Sequence, residues 1–372
     1  MNILITGGAG FIGSHTSDRL LKLGHKVKII DCLKKPVHLK GIPDYIDKSK
    51  IEFIYGDVRD KTVMTYALED VDIVFHFAAY QDYLPNYSTF SHVNTYSTSL
   101  IYEIIEKKKL PIKKVIVASS QAVMGEGRYH CREHGTFFPN LRSELKLKKE
   151  IWDHYCPTCK KKLVMDLSDE KVINPQNPYG MSKYTQEMIA INLGKRIGIP
   201  SVALRYSIVQ GSRQSFYNAY SGICRIFSIS MFFDKQPIVY EDGKSIRDYV
   251  NIHDVVDANI LVMESDEANY EVFNVGGGKP FTVFEFSKIV AEVFSKSIAA
   301  KVPGEYRFGD TRHIVSDISK LESLGWKPKR SIYDSVREYK EYLTKQTDLD
   351  DILDYAQKQM KTLGVVRRID DN

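Results

Sequence analysis

Residues 2–13 read Asn-Ile-Leu-Ile-Thr-Gly-Gly-Ala-Gly-Phe-Ile-Gly. Residues 2–6 are a short apolar run of the kind that forms a buried strand, and the run breaks at Gly7. A helical pattern over residues 15–23 follows and is ended by Gly24. A second apolar run, residues 27–30, stops at Asp31. Strand, glycine turn, helix, strand and acid, in that order, predict a dinucleotide-binding unit. Gly7 permits the tight turn, Gly10 lets the backbone approach a pyrophosphate, and Gly13 lets helix and strand pack closely. The free N–H groups at the helix start receive the phosphate charge. Asp31 is placed to accept hydrogen bonds from the adenosine ribose, and its charge repels the extra phosphate of NADP. NAD is therefore the expected cofactor. A glycine pattern standing alone is often an ordinary turn; here every flanking element is in place.

The alternation continues outward. Residues 51–55 form a strand pattern ending in Gly56-Asp57-Val58-Arg59-Asp60. Asp57 is placed either to meet the adenine or to cap a helix, and Asp60 precedes a helical run. Residues 71–75 lead to His76-Phe77-Ala78-Ala79, small residues that let the chain pass close to a cofactor. His76 reads as a packed, hydrogen-bonded histidine. Residues 93–107 read as a helix and 113–119 as a strand. The pattern predicts an α/β fold, a doubly wound parallel sheet with right-handed crossovers and a smaller α/β substrate domain.

Composition agrees. The chain has 372 residues, 43% of them hydrophobic and 27% charged, which suits two domains sharing a cleft. A net charge of +5 suits a phosphate-bearing small molecule and makes no case for nucleic acid. Nothing resembles a signal peptide or a membrane span, so no membrane partner and a cytoplasmic location are expected.

The strand at 115–118 ends at Ser119-Ser120, and Tyr179-Gly180-Met181-Ser182-Lys183 lies far downstream. Tyr179 and Lys183 are four apart and share one helix face. Free tyrosine has a pKa of about 10, too high for a base at neutral pH. A neighbouring ammonium and a positive nicotinamide ring both favour phenolate. With Ser120 bonded to the reacting oxygen, these residues form a device for taking a proton from an alcohol while hydride leaves.

With these residues in view, the chain resembles the extended short-chain dehydrogenase/reductases, in their NAD-dependent nucleotide-sugar epimerase/dehydratase branch. The resemblance runs from about residue 1 to 340, with one insertion. It rests on the glycine turn, Asp31, Gly56-Asp57, residues 76–79, Asn94, Ser119-Ser120, Tyr179 with Lys183, and Leu204-Arg205-Tyr206. Arg247-Asp248-Tyr249-Val250, Phe273-Asn274-Val275-Gly276 and Arg307-Phe308-Gly309-Asp310 extend it. The resemblance implies catalysis by Ser120, Tyr179 and Lys183. It implies cofactor contacts at Gly7, Gly10, Phe11, Ile12, Gly13, Asp31, Asp57, Val58, Ala78, Ala79, Asn94, Tyr179 and Lys183. Substrate contacts would fall on Ser120, Gln121, Arg213, Arg247, Arg307 and Asp310, with Arg247 and Arg307 on the pyrophosphate. Helices at 93–107 and 178–196 resemble those that build a homodimer interface in this family.

In the branch's 4,6-dehydratases the two residues after the active serine or threonine resemble Asp-Glu. Here they are Gln121-Ala122, and alanine moves no proton. The minimal reaction is therefore expected: epimerisation of a nucleotide-activated hexose, most simply at C4, through a transient 4-keto sugar. A 4,6-dehydratase or 2-epimerase is the alternative within the branch. A cofactor-binding regulator is the alternative of another class. Ile208 replaces the usual asparagine and Asn251 the usual histidine, which leaves the sugar open. Ile314 is expected at the pocket wall.

Between Gly125 and Tyr179 lies the inserted stretch, 126–174. It carries Cys131-x-x-His134, then twenty-one residues, then Cys156-x-x-Cys159. Three thiolates and an imidazole in two short pairs predict a closed, structural zinc site. His130 and His154 are spare candidates for the fourth ligand. The expected division is 1–205 for the NAD domain with 246–270 returning to it, 206–245 and 271–345 for the nucleotide-sugar domain, and 346–372 as a charged helical tail. Residues 283–295 read as a helix capped by Thr282.

Overall fold

The computed structural model describes residues 1–82, 85–217, 222–347, 349 and 351–369. From the amino terminus, β1 (Asn2–Thr6) leads through α1 (Phe11–Lys22) to β2 (Lys26–Asp31) and β3 (Ile51–Tyr55), then through α2 (Lys61–Ala67) to β4 (Ile73–His76). α3 (Tyr87–Phe90), a π-helical turn (Ser91–Tyr96) and α4 (Ser97–Lys108) precede β5 (Lys114–Ser120). An excursion carries β6 (Arg128–Cys131), β7 (Gly135–Phe137), α5 (Glu144–Lys148) and β8 (Val164–Asp166). The chain returns with α6 (Pro178–Ile197), β9 (Ser201–Tyr206), β10 (Ile208–Gln210), α7 (Ile223–Phe232), β11 (Ile246–Asn251) and α8 (Ile252–Glu264). It ends with β12 (Val272–Val275), β13 (Pro280–Thr282), α9 (Val283–Val293), β14 (Glu305–Arg307), α10 (Ser319–Glu322), α11 (Ile332–Thr344), α12 (Leu353–Thr362) and β15 (Val366–Arg368).

Seven strands form one parallel sheet in the order β12-β9-β5-β4-β1-β2-β3. Alternate side chains of a strand face opposite ways. Ile3 and Ile5 of β1 therefore join one core, with Leu20, Ile29 and Val255. Leu4 joins the other, with Ile30, Val74, Leu100 and Ile104. Burial on both faces is why these strands read as continuous apolar runs. The order reverses between β1 and β4, so a crevice opens at their carboxyl ends, where Gly7 and Ala78 follow.

A second layer packs beyond those ends. β10, β11 and β13 form a small sheet, and α7, α9 and α11 bury a separate core around Phe227, Phe286 and Val336. Two placements differ from the expected division. β11 pairs with β10 and β13 in the small sheet, and only α8 goes back, onto α1 and β5. β12 pairs with β9 at the edge of the large sheet, because Phe273 and Val275 complete its apolar face.

The end of the chain differs too. Beyond α12 it forms β15, which pairs antiparallel with β14. Residues 348, 350 and 370–372 of the expected tail lie outside the described residues. Asp60 proves to be the cap of α2, accepting from Thr62 and Val63 N–H, whereas Asp57 holds the Arg59 guanidinium at 2.9 and 2.6 Å. Thr282 and Glu285 form the reciprocal cap of α9. The excursion closes where Asn174 N donates to Val123 O at 2.9 Å. Its three-stranded sheet, β7-β6-β8, covers a core of little more than Tyr129, Cys131, Cys156 and Leu163.

Candidate active site

A cleft of about 800 Å3 runs between the two layers. One end lies over the glycine turn, where Phe11 and Ile12 line it. A Cβ on Gly13 would stand 2.5 Å from Gly7 O, and one on Gly10 would stand 3.2 Å from it. The turn is thus built of bare backbone, the form of cradle a pyrophosphate needs. Asp31 ends β2 beside it and accepts from Ala9 N at 3.1 Å and Leu33 N at 2.9 Å. Burial pushes this carboxyl up, and the two backbone bonds and His38 pull it back. Ala79 lines the cleft, while Ala78 N donates to Thr6 Oγ1 at 3.1 Å. His76 is buried between Thr6 Oγ1 (2.7 Å) and Ser97 Oγ (2.9 Å), and burial lowers it to about 3, so it is a neutral packed residue. Asn94 braces the loop above the crevice, accepting from Tyr80 N and donating to Ser182 Oγ at 2.9 Å. Val58 packs in the core with Leu4 and Ile30.

The middle of the cleft holds Ser120, Tyr179 and Lys183. Ser120 is the last residue of β5. Asn177 caps α6 by accepting from Gly180 N at 2.8 Å, and Pro178 opens the helix with its φ already set. A Cβ at Gly180 would lie 2.5 Å from Ala122 O, so glycine there lets α6 abut the turn after Ser120. Burial lifts the Tyr179 phenol to about 12, and the neighbouring Ser120 side chain opposes the rise. Lys183 Nζ lies 5.9 Å from the centre of the Tyr179 ring. It is buried and donates to Ala118 O at 2.7 Å and Gln186 Oε1 at 2.9 Å. Burial lowers it to about 7, against the pull of Glu187. Burial thus disfavours both charged forms, the Tyr179 phenolate and the Lys183 ammonium, so a positive charge brought in beside the phenol is what would favour phenolate.

A buried brace that the sequence reading did not find lies beneath them. Glu187, one helical turn beyond Lys183, accepts from Ser119 Oγ and receives both arms of the Arg205 guanidinium at 2.8 Å. It locks α6 to the ends of β5 and β9. An acid at the next i,i+4 position on the Tyr179–Lys183 face was the available signal.

The remaining expected substrate residues divide. Gln121 lines the cleft, and its Oε1 is buried without a hydrogen-bond partner among the described residues. Arg247, Arg307, Asp310 and Ile314 line it as well. Arg247 donates to Asp310 Oδ1 (3.3 Å), Thr311 O and Arg312 O. The Arg307 guanidinium lies over the Tyr240 ring, 4.9 Å from its centre. Arg213 is not brought to the cleft wall. It pairs with Asp18 of α1 at 2.7 Å and covers the Tyr45 ring, so its charge is met there.

The Cys131 Sγ, His134 Nδ1, Cys156 Sγ and Cys159 Sγ atoms lie within 4.8 Å of one another. The Cys131–His134, Cys156–His134 and Cys131–Cys159 separations are each 3.6 Å. The spare histidines are engaged elsewhere: His130 with Asp166 at 2.8 Å, His154 with Glu126 at 3.1 Å.

Residues 3–166 match the family model described as the NAD dependent epimerase/dehydratase family. Residues 162–339 match that described as GDP-mannose 4,6 dehydratase. The solved UDP-glucose 4-epimerase of Thermotoga maritima is 30% identical with a TM-score of 0.74, the match covering 93% of this chain and 99% of that one.

The chain belongs to the NAD dependent epimerase/dehydratase family.

The dTDP-L-rhamnose 4-epimerase of Burkholderia thailandensis is 29% identical, over 93% of this chain and 96% of its own length. The solved UDP-glucose 4-epimerase of Thermus thermophilus, in complex with NAD, is 25% identical with a TM-score of 0.71, the match covering 93% of this chain and 100% of that one. Both family matches stop by residue 339, so α12 and β15 lie beyond them.

Proposed function

We propose that this chain is an NAD-dependent epimerase of a nucleotide-activated hexose, acting at C4. The observation that carries the reading is Ser120, Tyr179 and Lys183 gathered in one cleft beside the glycine cradle, with Gln121-Ala122 rather than carboxyls following Ser120. Gly7, Gly10, Gly13 and Asp31 hold NAD in this reading, and Lys183 meets its ribose. NAD bound there would supply the acceptor, and then the donor, of the C4 hydride. Tyr179 takes the O4 proton, and Ser120 holds the same oxygen. The 4-keto sugar then turns over in the cleft, Tyr179 gives the proton back, and the configuration at C4 is inverted. Arg247 and Arg307 hold the diphosphate while the sugar rotates. The unpartnered Gln121 Oε1 suits a sugar hydroxyl.

The four donors of the excursion fit zinc. Ligands at about 2.0–2.3 Å around a tetrahedral ion sit roughly 3.5–3.8 Å apart, and three of the separations are 3.6 Å. So small a core needs such a staple. Exposed Tyr96, Met181 and Met188, from the π-helical turn and α6, support a homodimer through those helices. Among the described residues no helix is long and apolar enough to cross a membrane.

The deciding experiment is product analysis by mass spectrometry and NMR with a panel of UDP-, dTDP-, GDP- and CDP-sugars. An isomer of unchanged mass inverted at C4, lost in Tyr179→Phe, is expected. Loss of a water mass identifies a dehydratase and refutes the argument from Gln121-Ala122. Inversion at C2 selects a 2-epimerase.

A further inference from the structure

The cleft extends well past the reacting groups. Beyond Arg247 and Arg307 its far end is walled by Gln236 and Tyr240 from the small layer and by Leu353, Gln357 and Met360 from α12. We propose that the carboxy-terminal unit α12–β15 forms the nucleoside end of the substrate site, with Gln357 and Met360 holding the base. The inference rests on the nucleotide-sugar reading above. In such a substrate sugar, diphosphate and nucleoside follow in line. With the sugar at Tyr179 and the diphosphate at the two arginines, the nucleoside falls where the chain terminus closes the cleft.

The unit is fixed there by many bonds. β15 pairs with β14, setting Val366 opposite Arg307. Arg307 Nη2 lies 3.6 Å from Met360 Sδ. Lys235 bridges to Asp351 and Asp354 at 2.5 and 2.6 Å. Arg367 lies over the Phe308 ring and pairs with Glu144 of the excursion at 2.8 Å. Gln357 is held from both sides: Tyr240 donates to its Oε1 at 2.7 Å, and its Nε2 donates to Glu305 at 3.0 Å. A carboxamide has two N–H donors and two acceptor lone pairs, so one of each remains for the edge of a base. Because its orientation is locked, that donor and acceptor are presented in one order. Met360 and Leu353 offer the apolar, polarisable surface on which a flat ring packs.

The test uses the full-length, NAD-loaded protein and UDP, dTDP, GDP and CDP as probes, titrated by calorimetry, beside KM for the sugar nucleotide turned over. Gln357→Leu keeps the volume and removes the hydrogen bonds; Met360→Ala removes the packing surface. Each is expected to weaken binding of the preferred nucleoside diphosphate about tenfold and to raise KM in step, with bound NAD retained. Nucleotide affinity and KM within twofold of the unaltered protein in both variants would overturn the inference and leave the nucleotide-sugar reading standing. Failure of the unaltered protein to bind any of the four would overturn both.

Discussion

Replacing Arg142 by alanine removes one of the links between the excursion and the cleft wall. Its guanidinium is buried and donates to Glu241 Oε2 (2.7 Å), Trp152 O (3.1 Å) and Asp310 O (2.8 Å). Glu126, also buried, lies 3.8 Å from its Nε. Breaking a buried ion pair from one side costs about 3–5 kcal/mol, because the partner charge is left uncompensated. Glu241 retains Arg312 at 3.3 Å, which sets the expectation at the lower end, about 3 kcal/mol. For a protein of this size that is a fall in Tm of roughly 4 °C.

The effect also has a pH signature. Burial pushes the Glu241 carboxyl up, and Arg142 opposes the rise. Without Arg142 the folded-state pKa climbs further. A carboxyl so raised binds more protons folded than unfolded between the two pKa values, so stability is lost as pH rises through that window. The deficit of Arg142→Ala is therefore larger at pH 8 than at pH 5. Function follows, since Asp310 and Thr311 are the acceptors that orient Arg247. KM for the nucleotide sugar rises while NAD stays bound. Differential scanning fluorimetry across pH, with steady-state kinetics, checks this. A Tm within 1 °C of the unaltered protein at both pH values and an unchanged KM would refute the reasoning.

Tyr179→Phe lowers kcat by about 10^2–10^4 and leaves NAD content unchanged, measured by epimer formation and by absorbance of the released cofactor. A base must be deprotonated to act, so kcat falls with falling pH through one ionisation that belongs to the Tyr179–Lys183 pair. Lys183→Met removes the positive charge that favours phenolate and moves that fall to higher pH, as read from the kcat profile. One zinc per chain is the expected result of inductively coupled plasma mass spectrometry on the purified protein. Cys156→Ser loses it and loosens the excursion to limited proteolysis; unchanged zinc content would remove Cys156 from the ligand set.

The glycine turn, Asp31, the Tyr179–Lys183 pair, the capping box of α9, and the Cys131/His134 and Cys156/Cys159 pairs were legible because each is a pattern within one element or one turn. Helical spacing and strand alternation are local geometry, written along the chain. What stayed hidden joins segments far apart. Arg142 meets the Asp310 carbonyl across 168 residues, and no periodicity announces that bond. Between Asp57 and Asp60 the sequence offered two caps, and only the backbone path chose Asp60. Arg213 carries the right charge for a phosphate, but Asp18 lies nearer. β15 is three residues long, too short for alternation to be read, and exists because β14 presents an edge to it. The sequence alone determined the chemistry, since that depends on residue types at fixed local spacing. The tertiary structure decided the boundaries of the cleft, because its walls are made by side chains whose partners are chosen by packing.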